Sequence, residues 1–143
     1  MRTFYSVYHP NTLLTSRQCL FQQTEGCKKI KVNKGCLRRC DKRTSIINLK
    51  DNPYVVQKQK GSHNSIYSDL NTLNLDVLND HRDLITDVFI DLRDIQTETK
   101  VFGSKLEIIN AFQAELLRKG DDSSSGVTAL IAPTRNQQYL KGI

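Results

Sequence analysis

Tryptophan is absent from the 143 residues, methionine occurs once and proline three times. The absence with most chemical weight concerns cysteine: there is none outside residues 19–40. No run of 18 apolar residues occurs, so no helical membrane span is expected. The opening MRTFYSVYHPNTLL has no charged stretch followed by an unbroken apolar run. A secretory leader is therefore not expected, and the expected compartment is the cytoplasm. Neither the H-E-x-x-H of zinc proteases nor the G-x-S-x-G nucleophile elbow is found, and there are only three histidines. Proteolytic chemistry thus has little footing in the residues. No internal repeat is visible. With 38% hydrophobic residues and a mean hydropathy of −0.48, a core is possible but not generous.

What the chain does have is concentrated. Cys19, Cys27, Cys36 and Cys40 follow a C-x7-C-x8-C-x3-C pattern within 22 consecutive residues. Four soft ligands at that density point to a metal or a cluster. Disulfides would need an oxidising compartment, for which there is no leader. Tetrahedral zinc usually takes two tight cysteine knuckles, and only Cys36 and Cys40 are that close. An iron–sulfur cluster on four thiolates tolerates wider and uneven spacing. A helical turn would place Cys36 and Cys40 on one face. Four unrelated core cysteines fit poorly, because their flanks are polar.

Those flanks are basic. Lys28, Lys29, Lys31, Lys34, Arg38, Arg39, Lys42 and Arg43 face only Asp41, so residues 28–43 carry +7 and the rest of the +6 chain carries −1. Charge runs are often only solvated loops. Here the cations would also lower the thiol pKa values and offer phosphate contacts to RNA, with Lys28, Lys29, Lys31, Arg38 and Arg39 as candidates.

Along the chain, FYSVY at residues 4–8 reads as a strand closed by His9-Pro10. His9 reads as a strand-end residue without a placed partner. Ser16 can cap a helix over residues 17–23, which would carry Cys19. Residues 45–50 and 54–58 read as a hairpin about Asp51-Asn52-Pro53. A weak strand at 64–67 and a helix at 74–80 follow. DVFIDLRDI, residues 87–95, reads as a parallel strand buried on both faces, with Asp91, Arg93 and Asp94 at its C-terminal end. Ser104 and Glu107 form a capping box for a helix over 104–119, with Leu106, Ile109, Phe112 and Leu116 and their neighbours Ile108 and Leu117 on its apolar face. A flexible DDSSSG and a last strand at 127–132 complete the reading. Alternating elements give an α/β class with a parallel sheet.

The string TSRQCLFQQTEGC, followed by GCLRRC, resembles the cysteine loop of the collagenase-like peptidase family U32. INLK after Ile46, Asn64-Ser65-Ile66-Tyr67, FIDLRDI and the closing YLKGI resemble further family segments, so the likeness covers nearly the whole chain. Within the family it is nearest the branch that hydroxylates a cytidine of 23S ribosomal RNA, with prephenate as co-substrate. The resemblance implies a four-iron–four-sulfur cluster on Cys19, Cys27, Cys36 and Cys40, with zinc as the alternative. It implies ribosomal RNA as partner and Arg93 as a substrate residue. It also implies the C-terminal part of a TIM-like (β/α) barrel, with the cysteine-rich loop at 15–43 and a β-hairpin insertion at 45–58. A strand–helix–strand–helix run at 64–120 and a tail at 121–143 would complete one partial domain, 1–143. A full barrel needs eight such units, so the chain would be a fragment needing an N-terminal complement of the barrel. A non-catalytic metal-stabilised RNA-binding module, and a peptidase as the family name has it, are the alternatives.

Overall fold

The computed structural model describes residues 1–21, 27, 43–59, 63–118, 126–136 and 139. They form two compact units. The first is made of Met1–His9, Leu70–Asp94 and Glu98–Ile143, the second of Pro10–Asp69 and Ile95–Thr97.

In the first unit β1 (Phe4–His9) is the middle strand of three. The short β6 (Thr72–Leu73) pairs with it antiparallel, and β7 (Asp87–Ile90) pairs with it parallel. Helix α1 (Asp76–Asp80) lies between β6 and β7 in the chain. Helix α2 (Lys105–Leu117) covers one face of the sheet. Val7, Tyr8, Leu73, Leu78, Ile108 and Phe112 belong to its core. Each such side chain contributes about 2 kcal/mol when removed from water. Tyr8 fills core volume against Phe112, with ring centroids 6.4 Å apart. Its hydroxyl accepts a hydrogen bond from Asn71 Nδ2 at 2.7 Å, so the polar end of the ring is satisfied inside. Val127 and Ile131, from α3 (Gly126–Leu130) and β9 (Ile131–Ala132), complete the cluster. β9 pairs antiparallel with β8 (Lys100–Val101).

The start of α2 follows from its sequence. Glu107 N–H donates to Ser104 Oγ at 3.3 Å, and Ser104 N–H donates to Glu107 Oε2 at 2.6 Å. The other end is held from outside. Arg82 Nη1 donates to the carbonyls of Glu115 (3.3 Å), Leu116 (2.9 Å) and Arg118. Glu115 O also accepts from Arg118 N–H at 3.3 Å, and the other two are carbonyls of the kind a helix end leaves without an internal partner.

The second unit is a four-stranded antiparallel sheet in the order β2 (Thr12–Ser16), β5 (Asn64–Tyr67), β4 (Pro53–Lys58), β3 (Arg43–Ile47). β3 and β4 form a hairpin. Its turn is closed by Asn48 Oδ1, which accepts from the N–H groups of Lys50 (2.8 Å) and Asn52 (2.9 Å). Asp51 there has φ 59°, a conformation Asp tolerates better than most residues. Val56 and Tyr67 are buried on this sheet.

Several sequence expectations are corrected. The fold is mixed α/β with largely antiparallel sheets, and no barrel is formed among the described residues. The barrel complement therefore loses its basis. The hairpin is not a barrel insertion but half of a sheet with β2 and β5. The strand expected over 87–95 ends at Ile90, and it is open on one face, with Phe89 57% exposed. The strand expected over 127–132 is α3 followed by two strand residues. The buried face of α2 is Ile108, Phe112 and Glu115, whereas Leu106 and Leu117 are exposed. Glu115 occupies a core position because its carboxylate is paired with Arg118 at 3.1 Å. An acid there is invisible to an apolar count.

Candidate functional site

The cysteine segment begins directly after β2 of the second unit. Ser16 Oγ accepts from Gln18 N–H at 3.1 Å and bends the chain. Gln18 O then accepts from Asn64 Nδ2 on β5 at 2.6 Å, which ties the backbone beside Cys19 to the sheet. Cys19 precedes the helical residues Leu20 and Phe21 rather than lying within the expected helix. Phe21 is buried and anchors this segment. Cys27 N–H donates to Phe21 O at 3.4 Å, returning the chain towards its start. Cys19 and Cys27 are half-buried free thiols, not a disulfide. Cys36, Cys40, Lys28, Lys29, Lys31, Arg38 and Arg39 lie outside the described residues. Among the described residues no group of three or more His, Cys, Asp or Glu is arranged to hold a metal.

The fit to an anionic thiolate centre has a second observation. Gln57 Oε1, Lys58 Nζ, His63 Nδ1 and Asn64 Oδ1 are buried without a hydrogen-bond partner. Gln57 and Lys58 end β4, Asn64 starts β5 with His63 just before it, and Lys58 and Asn64 are register partners. Asn64 is the residue that holds the backbone next to Cys19. A buried ammonium without a carboxylate is costly unless a negative group lies against it. Gln57 Oε1 and Asn64 Oδ1 are acceptors, and Gln57 and Lys58 alternate to opposite faces of the strand, so of these atoms only Lys58 Nζ, and His63 Nδ1 where it carries the proton, can donate to an anionic centre. Of these four atoms, the Lys58 ammonium is the one that favours an anionic group nearby. Sequence reading missed this set, because nothing in Q-K-Q-K-G-S-H-N marks which polar atoms are buried.

A separate constellation sits on the first unit, at the C-terminal ends of the parallel strands β1 and β7. Val7 forms a bulge, because the register with β7 shifts between Ser6 and Tyr8. The bulge puts Ser6 and His9 on the same side, and Ser6 Oγ lies 3.0 Å from His9 Nδ1. Asp91 N–H donates to Tyr8 O at 2.8 Å, which sets the end of β7 beside His9. Burial holds the imidazole pKa below its ordinary value, and the charge of Asp91 offsets part of that. Burial alone would raise the Asp91 carboxyl. The hydrogen bonds and charge of Arg93, with His9, outweigh it and leave it below the ordinary range. Arg93 grips Asp91 with Nε at 2.9 Å and Nη2 at 2.6 Å. The expected substrate arginine is thus also a latch on the strand end. His9 meets Ser6 through Nδ1, the nitrogen that faces the carboxylate in a Ser–His–Asp relay. The geometry is not that relay.

On the opposite side of β7 a cleft of about 470 Å³ runs against α2, walled largely by Val88, Ile90, Leu92, Ile109, Phe112 and Leu116. It brings no set of reactive groups together. Among the described residues no helix is long and apolar enough to cross a membrane. No family model, curated protein or solved structure matches this chain.

Proposed function

We propose that the chain is an RNA-directed module of the U32 family that holds a four-iron–four-sulfur cluster on Cys19, Cys27, Cys36 and Cys40. The observation that carries the reading is the placement of all four thiols in one 22-residue stretch, interleaved with six basic residues and followed by two more. Two free thiols, with the backbone next to Cys19 held to β5 by Asn64, support it. When bound, such a cluster supplies one-electron redox chemistry and cross-links its loop. The chain's own residues do the rest. Lys28, Lys29, Lys31, Arg38 and Arg39 contact phosphates of ribosomal RNA, and Asn64 fixes the backbone at Cys19. In this family branch the activity is hydroxylation of a cytidine in 23S ribosomal RNA with prephenate. A non-catalytic, metal-stabilised RNA-binding module is the second reading. It is favoured by the attachment of the segment to a small antiparallel sheet.

Protein purified without oxygen is expected to contain iron and acid-labile sulfide and to absorb broadly near about 400 nm. Cys36→Ser should abolish that absorption, because the chain has no fifth cysteine. Zinc without iron in such a preparation would replace the cluster by a four-thiolate zinc site. Binding to ribosomal RNA fragments should weaken steeply with salt. Arg38→Glu with Arg39→Glu should lower both affinity and salt slope, and unchanged values would reduce the basic stretch to a solvated loop.

A further inference from the structure

We infer that the outward face of the β1–β7 pair is a stacking platform for single-stranded nucleic acid. The inference rests on the RNA reading above but uses residues outside the cysteine segment. Tyr5, Val7, Val88 and Ile90 point to the core. By strand alternation Phe4, Ser6 and Phe89 point away from it. Phe4 is 66% exposed and Phe89 57%. In the parallel register Phe4 is opposite Asp87 and Ser6 is opposite Phe89. The two rings are therefore diagonal neighbours, roughly 8 Å apart along and across the strands. Exposed aromatics on adjacent strands of an open sheet are how sheet-based RNA readers stack successive bases.

The surroundings select the occupant. The bulge at Val7 adds His9 beside Ser6, so hydrogen-bonding groups lie next to the rings. The Arg2 guanidinium lies 5.5 Å from the centre of the Phe4 ring at one end. Arg93 stands at the other end, where both strands stop. Both arginine side chains are mostly exposed. Asp87 and Asp91 are each paired with their arginine, so neither carboxylate stands alone against a phosphate. An apolar protein partner would be matched by apolar neighbours around the rings, but these neighbours are Arg2, Ser6, His9 and Asp87. Flat apolar surfaces between cations and edge-reading groups match bases on a phosphate chain.

The test uses the full chain with a mixed-sequence single-stranded RNA of roughly ten nucleotides, and the same sequence as a duplex. Phe4→Ala and Phe89→Ala are each expected to weaken single-strand binding roughly tenfold, and Phe89→Trp to retain it. The slope of log Kd against log salt should stay unchanged, since no phosphate contact is removed. Thermal melts of these variants should match the parent, because the rings are exposed. Unchanged single-strand affinity in both alanine variants, with binding still lost in the Arg38→Glu, Arg39→Glu protein, would overturn the platform and leave the RNA reading standing. A parent chain that binds neither RNA form would overturn both. Alanine variants that dissociate a dimer of this chain without altering RNA affinity would assign the face to self-association instead.

Discussion

His9 is the residue whose chemistry is best placed to report on the fold. Its imidazole is buried enough to lower its pKa from the ordinary value of 6.5. The unfolded chain therefore binds a proton that the folded chain resists. The stability tied to neutral His9 is fully present above about pH 6.5 and is lost as pH falls through the lower folded value. Urea midpoints should fall between about pH 7 and pH 5, and His9→Gln should flatten that part of the profile. Asp91 acts in the same direction, but in a lower window. Its folded pKa is also depressed, so its contribution fades only below the ordinary carboxylate range. An unchanged midpoint across the upper window would show that His9 is not held neutral. The sequence hid this site for a physical reason. His9 and Ser6 are three apart in a strand and would alternate to opposite faces, and only the bulge at Val7 brings them together. The cysteine pattern, by contrast, is a matter of residue type and spacing, which can be seen in the sequence without knowing the fold.

At the scale of elements, the two ends of α2 behave differently. The capping box at Ser104 and Glu107 was legible, since both partners lie within one turn. The C-terminal support comes from Arg82, more than thirty residues away in the chain, and no local pattern announces it. Arg82→Met keeps much of the side-chain stem and removes the donors. It is expected to lower stability by about 1–2 kcal/mol, discounted for partial exposure. Amide exchange should rise in the last turn of α2 and stay unchanged at Ser104 and Glu107. Equal acceleration at both ends would mean that Arg82 acts on the whole helix rather than on its carbonyls. The short apolar run V-T-A-L-I-A was read as a strand because four to six residues do not separate the two periods. In the fold Val127 serves as a one-turn helical contact to the core.

For the whole molecule, the order of elements was partly readable and their pairing was not. Strand and helix alternation from residue 64 onward resembles a parallel α/β chain, and β1 with β7 is indeed parallel. But β6 returns antiparallel to β1, and β2 pairs with β5 across the whole cysteine segment. Such partners are chosen by packing between distant stretches, which local pattern does not encode. The register of β1 with β6 has one more consequence. His9 and Thr72 are partners, so their Cα atoms lie only about 5 Å apart. Seen as chain topology, Pro10–Asp69 is a guest inserted into the loop of a host hairpin. A variant joining His9 directly to Leu70 would leave Leu70 and Asn71 as a two-residue turn. Shortening that loop by about five doublings removes roughly 3 kcal/mol of closure entropy whenever the guest is unfolded. The excised host should therefore refold faster than the parent and keep a single cooperative urea transition. A chain that stays unfolded after the excision would mean that the guest is needed for the host to hold its shape. If the host does fold, the cysteine-bearing guest is separable from it in the chain, except for Ile95–Thr97, which belong to the guest's unit and stay behind in the host.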